Sequence, residues 1–221
     1  MRVLGDDMRS DIDGIVAKYP NARSAALPLL FLVQSVEGYV SEDGMKDVAD
    51  ILGLTSAQVL ATASFYTMLK KRPQGEYLIS VCRNITCTHL GARKVLATLE
   101  DRLGMAAGDT TDDGRFSLEA AECLATCEGA PSLQINYEDF YRVTPDDAVG
   151  LVDKLAAGDS VQSVRGETVK TAKEIAREMA VAGMRTPEAG VEQGRTIGGE
   201  SPRADTAPGS RPKVEGEKQD A

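Results

Sequence analysis

Two close pairs of cysteines, far apart in the chain, constrain this sequence more than any other feature. Cys82 and Cys87 are spaced C-x4-C, Cys123 and Cys127 are spaced C-x3-C, and 35 residues separate the pairs. The 221 residues hold no other cysteine. For the four thiols to act together, the fold must bring two remote segments to one place. Thiolates are soft donors that select Zn²⁺, Cu(I) or iron–sulfur clusters.

Three readings of the spacing stand side by side. Structural zinc usually takes tight CxxC-like knuckles around one tetrahedral ion, and the chain would then be a zinc-stabilised adaptor without redox chemistry. The looser gaps suit a [2Fe–2S] core, in which each iron takes two thiolates; plant-type ferredoxins also open with C-x4-C. Disulfides or unligated thiols are the third reading. A Rieske centre needs two histidines, and the chain has only His89, read as solvent-facing or outside the ligand set.

Composition narrows the function. The formal net charge is −9, which argues against nucleic-acid or anionic-membrane binding. The longest apolar run, Ala25–Val33, is broken by Pro28 and is far short of a membrane span. The first residues lack the charged-then-apolar pattern of a signal peptide. These features predict a cytoplasmic protein, where thiols stay reduced and available as ligands.

The chain divides into four parts. Residues 1–72 read as a helical bundle. Its helices are expected over Asp7–Tyr19 and Ala22–Val36, with Pro28 at a kink or at the true helix start. A third follows Ser41 as N-cap, and a fourth runs from a Thr55–Gln58 capping box to Leu69. Residues 73–158 read as a mixed-sheet α/β domain of order β-α-β-β-β-α. Its strands are Glu76–Val81, Phe116–Glu119 and a hairpin of Ser132–Asn136 with Tyr141–Val143. Its helices are His89–Leu103, opening just after Cys87, and Pro145–Leu155, with Asp146 and Asp147 in the first turn. Residues 159–184 carry an amphipathic helix, packed on the chain itself or on a partner. Residues 185–221 are rich in Gly, Pro and mixed charge, and are expected to be disordered.

The cysteine loops agree with a loop-borne cofactor. Cys82 ends a strand, and Gly129 and Pro131 shape the turn after Cys127. Other motifs carry little. Asp109, Asp112 and Asp113 lack EF-hand spacing, and no G-x-G-x-x-G follows a strand. Phe65 and Tyr66 are expected to pack between the bundle and the sheet.

Several spaced motifs then agree in order. They are Gly38-Tyr39-Val40-Ser41, Phe65-Tyr66-Thr67, Pro73-x-Gly75, Ile79-x-Val81-Cys82, Gly108-x-Thr110-Thr111-x-Asp113-Gly114-x-Phe116, Glu122-Cys123-Leu124, Ala130-Pro131 and Val164-Arg165-Gly166. Over residues 10–166 the sequence resembles the thioredoxin-like [2Fe–2S] ferredoxins. That family includes subunits of respiratory NADH:quinone oxidoreductase, of NAD-reducing hydrogenases and formate dehydrogenases, and free-standing ferredoxins. The resemblance implies an N-terminal helical bundle, a thioredoxin-like mixed-sheet domain and one [2Fe–2S] cluster bound by Cys82, Cys87, Cys123 and Cys127. It also implies a partner subunit that binds FMN and NADH and exchanges single electrons with the cluster, so this chain holds no complete active site. It suggests a cis peptide at Ala130-Pro131. Between the second pair, Leu124-Ala125-Thr126 departs from the family's usual Gly and Ala, and the Thr126 hydroxyl is expected to reach a cluster sulfur.

Overall fold

The computed structural model describes residues 2–182. After a 3₁₀ turn at Asp6–Met8, α1 runs Arg9–Ala17; a second 3₁₀ turn, Ala22–Ala25, leads into α2, Ala26–Glu37. Pro28 falls in the first turn of α2, where its missing N–H costs nothing. Helix α2 buries Leu29, Leu30, Phe31, Leu32 and Val33, so it is apolar around most of its circumference because neighbours surround it. Those neighbours include α3, Glu42–Leu52, and α4, Ser56–Phe65. The caps expected from sequence are present. The Ser41 hydroxyl accepts from the Gly44 N–H at 3.0 Å, and Thr55 and Gln58 form a reciprocal capping box.

Helix α4 stops four residues before its expected end at Leu69. Tertiary bonds explain the difference. Buried Gln34 donates to the Met68 carbonyl at 3.1 Å and accepts from the Lys70 N–H at 2.7 Å. The Val40 N–H donates to the Lys70 carbonyl at 2.6 Å. A helix through residues 66–69 would withdraw these backbone groups from α2 and its exit turn, leaving buried polar groups unpaired.

A four-stranded sheet follows, in the order β2-β1-β3-β4. Strand β1, Tyr77–Cys82, pairs in parallel with β2, Phe116–Ala121, and antiparallel with β3, Leu133–Ile135; β4, Glu138–Phe140, closes the far edge. The hairpin is tighter than expected. Ile135 pairs with Glu138, so only Asn136 and Tyr137 turn, both at positive φ, and Tyr141–Val143 is not strand. The two-residue turn lacks the usual glycine, which hid it.

The helix expected over His89–Leu103 starts later, at Ala92, and a separate short helix that contains Cys87 precedes it. Helix α5 spans Ile85–His89 and α6 spans Ala92–Leu103, parted where Gly91 adopts φ 105°. Helix α7, Pro145–Ala157, starts with Thr144 and Asp147 in a capping box. Ile79, Val81, Leu118, Leu133 and Ile135 of the sheet share one core with Val95 and Leu99 of α6 and Val152 and Leu155 of α7.

Helix α8, Ala172–Val181, settles the choice left by its amphipathic pattern. It packs on α2 of its own chain and buries Ala176 and Ala180, whose small side chains let the two backbones approach. Lys173 Nζ donates to the Val36 carbonyl at 2.8 Å, and Arg177 pairs with Asp11 of α1. The expectation for residues 185–221 lies outside the described residues.

Candidate metal centre

Strand order brings the two cysteine-bearing loops to the same end of the sheet. Parallel strands β1 and β2 end at the same sheet edge, with Cys82 paired to Ala121 in register. Cys123 lies two residues further on. The Cys82 N–H donates to the Ser132 carbonyl at 3.2 Å on the other flank, and the Arg83 N–H donates to the Ala121 carbonyl at 2.9 Å. Cys82 therefore sits between the loop that carries Cys123 and the loop that returns from Cys127. Arg83 and Glu122, each beside a cysteine, form an ion pair across the two loops.

Cys87 lies inside α5, not just ahead of the long helix as the sequence suggested. Asn84 caps α5, its side-chain oxygen accepting from the Ile85 N–H at 2.8 Å, and the Cys87 side chain turns inward to 2 % exposure. Cys127 opens a 3₁₀ turn, Cys127–Gly129. Gly129 lies under the Tyr141 ring; a Cβ there would stand 2.1 Å from a ring carbon. The Gly129 carbonyl accepts from the Arg142 N–H at 2.7 Å, and Tyr141 donates its hydroxyl to Glu128 at 3.2 Å. Ala130-Pro131 is cis, as expected.

Cys82 and Cys127 each feel the other cysteine of their pair. Burial pushes the Cys82 thiol pKa up, while the Leu124 and Asn84 N–H groups oppose that shift and Cys87 adds to it. The Cys127 thiol pKa is raised first by Cys123 and further by Cys87 from the opposite pair, while the Thr86 hydroxyl opposes the rise. The Ala125 N–H donates to Cys123 Sγ at 3.4 Å. Cys82 and Cys87 are buried, whereas Cys123 and Cys127 are exposed, and none is in a disulfide.

A donor set of four free thiols with backbone N–H groups aimed at them fits a [2Fe–2S] cluster. Among the described residues, no three His, Cys, Asp or Glu side chains are already placed to hold a metal ion. His89 is exposed at the end of α5, outside the thiol group.

Two expectations need correction and one residue was missed. Thr126 is buried, but its hydroxyl donates to Ser132 Oγ at 2.8 Å and not to a sulfur. Ser132, which no spacing pattern singles out, places a hydroxyl 3.6 Å from Cys87 Sγ. Phe65 and Tyr66 do not pack between bundle and sheet. Phe65 is 78 % and Tyr66 40 % exposed, and the two rings meet edge-on at 5.1 Å.

An α/β sheet that presents two thiol pairs at one edge, behind a helical bundle, is the architecture of a small iron–sulfur protein. The chain belongs to the thioredoxin-like [2Fe–2S] ferredoxin family, which it matches over residues 12–156. Membership implies one [2Fe–2S] cluster. Among its relatives is a subunit of the NADH-quinone oxidoreductase of Mycobacterium tuberculosis, 40 % identical over 180 residues, covering 81 % of this chain and 71 % of that one. NADH-quinone oxidoreductase subunit 2 of Thermus thermophilus is 34 % identical, covering 72 % and 90 %. Among solved structures, an NAD⁺-reducing [NiFe]-hydrogenase in the H₂-reduced state superposes with a TM-score of 0.53 at 22 % identity, over 60 % of this chain and 22 % of that one. That likeness concerns the fold alone. No single helix among the described residues is long and apolar enough to cross a membrane.

Proposed function

We propose that this chain is the [2Fe–2S] electron-transfer subunit of an NADH:quinone oxidoreductase. Its ligands are Cys82, Cys87, Cys123 and Cys127, with the first pair on one iron and the second on the other. The observation that supports the assignment is the β1–β2 register, which ends both strands together, with Cys82 beside Ala121, two residues before Cys123. The bound cluster supplies reversible one-electron chemistry, starting from the roughly −400 mV of all-cysteine ferredoxin centres.

The chain's own residues set the conditions for that chemistry. Buried Cys82 and Cys87 hold one side of the site away from water. The N–H groups of Leu124 and Ala125, aimed at Cys82 and Cys123, favour negative charge on the sulfurs. Exposed Cys123 and Cys127 leave the other side open to a partner. Ile85 and Leu90, 73 % and 57 % exposed at the two ends of the α5 segment, offer apolar contact surface on the element that carries Cys87. The partner is a flavin- and NADH-binding subunit that takes hydride from NADH and exchanges single electrons with this chain, in the cytoplasm.

Cys82→Ser and Cys123→Ser test the ligand set. Each is expected to lose most of the iron and acid-labile sulfide and the EPR signal of the reduced protein. Full retention of iron and signal in both variants overturns the assignment. Purification from the native host tests the assembly: the chain is expected to elute with a flavin-containing protein, and elution alone contradicts the subunit reading.

A further inference from the structure

Behind Cys87 lies a short file of hydroxyls that the ligand set does not use. Thr126, Ser132 and Cys87 are 8 %, 3 % and 2 % exposed, so this is a buried polar file and not a wet surface. Thr126 donates to Ser132 Oγ at 2.8 Å, and Ser132 Oγ stands 3.6 Å from Cys87 Sγ. Sulfur is large, and a hydrogen bond to it is longer than one to oxygen. Ser132 Oγ accepts from Thr126, which leaves its own proton to give. Among the described residues its other polar contact is the Cys87 sulfur. Cys87 as a ligand is a thiolate and has no proton to donate, which fixes the direction of the bond. The Ser132 backbone adds to the placement, because its carbonyl receives the Cys82 N–H at 3.2 Å.

We propose that Ser132 is a positioning residue for the redox centre: oriented by Thr126, its hydroxyl donates to the Cys87 sulfur and favours the reduced state. The inference rests on the ligand assignment made above. Reduction adds one electron and no proton, so negative charge grows on the ligand sulfurs. A donor already aimed at one of them interacts more strongly with the reduced form than with the oxidised form. Thr126 acts only through Ser132. It holds the serine rotamer and polarises its O–H.

The test is an EPR-monitored dithionite titration of the full chain with its cluster, comparing wild type with Ser132→Ala, Ser132→Thr and Thr126→Val. Ser132→Ala is expected to retain iron and sulfide, while its reduction equilibrium becomes about tenfold less favourable, a fall of about 59 mV in midpoint for one electron. Ser132→Thr restores most of the difference. Thr126→Val lowers the equilibrium about threefold on its own and adds nothing to Ser132→Ala. In resonance Raman, transfer to D₂O is expected to shift an Fe–S stretching band in wild type and not in Ser132→Ala. A filled Ser132→Ala centre with the wild-type midpoint overturns the relay while leaving the ligand assignment intact. Wild-type protein that binds no stoichiometric iron and sulfide overturns both. Should Ser132→Ala fail to hold a cluster, Thr126→Val decides: an unchanged midpoint and D₂O shift overturn the relay, and a lowered midpoint supports it.

Discussion

Gly129 is the residue where the smallest change should matter most. Its α-carbon hydrogens face the Tyr141 ring, and a methyl group would stand 2.1 Å from it. The ring cannot swing freely, because Tyr141 donates to Glu128 and the neighbouring Arg142 N–H is held by the Gly129 carbonyl. Gly129→Ala therefore has to move the turn that begins at Cys127. We expect a destabilisation of about 1–3 kcal/mol, typical of overpacking, together with a drop in bound iron. Urea unfolding and iron analysis check this; unaltered values for both would mean that the turn relaxes without cost. At this scale the four cysteines proposed as ligands stood out in the sequence, because metal chemistry demands a residue type at a spacing. Ser132 did not. Its contact with Cys87 spans 45 residues and depends on a rotamer set by Thr126, neither of which leaves a periodic trace.

Helices and strands were legible wherever local chemistry decided their limits. Ser41 and Thr55 announce their helices because a side-chain oxygen close in sequence satisfies the first free N–H groups. The end of α4 was illegible because Gln34, more than thirty residues away, claims the backbone of Met68 and Lys70. The β3–β4 turn was illegible because Asn136 and Tyr137 take positive φ without a glycine. Helix α8 shows both sides: its apolar stripe was plain, but the partner it covers was not. Ala176→Asp places a carboxylate where 1 % of the residue is exposed, against α2. We expect a loss of at least about 2 kcal/mol in urea unfolding, and a wild-type midpoint would show that α8 is not needed for the fold. The cap of α8 carries a pH dependence. Bonds from the Thr171 backbone and hydroxyl hold the Glu174 carboxyl pKa below its ordinary 4.5. The folded value is depressed, so the cap stabilises above pH 4.5 and that contribution fades as the pH falls through the lower folded value. Amide exchange in the first turn of α8, referenced to α2, should accelerate in that acidic window and remain flat in Glu174→Gln.

Across the molecule, one buried side chain joins parts that the sequence pattern keeps separate. Asn136 accepts from the Leu78 N–H and donates to the carbonyls of Glu76 and Lys170, each at 2.8 Å. It thus ties the entry of the central strand to the segment that leads into α8. Leu78 completes the seam, lying with Phe31 and Met68 of the bundle side and Ile175 and Met179 of α8. Asn136→Ala leaves several buried polar groups unpaired, and we expect it to cost about 3 kcal/mol. The same change should separate the near-UV melting of the sheet tyrosines from the loss of helical signal; coincident transitions would contradict the tether.

The inner and outer cysteines have unequal access to reagents. In cluster-free protein, a brief pulse of iodoacetamide should therefore alkylate Cys123 and Cys127 well before it reaches Cys82 and Cys87. Intact mass would climb by two adducts and pause. A molecule caught at that plateau keeps its two deep thiols but has lost both outer ones. Chemical ageing of the unloaded chain would begin there.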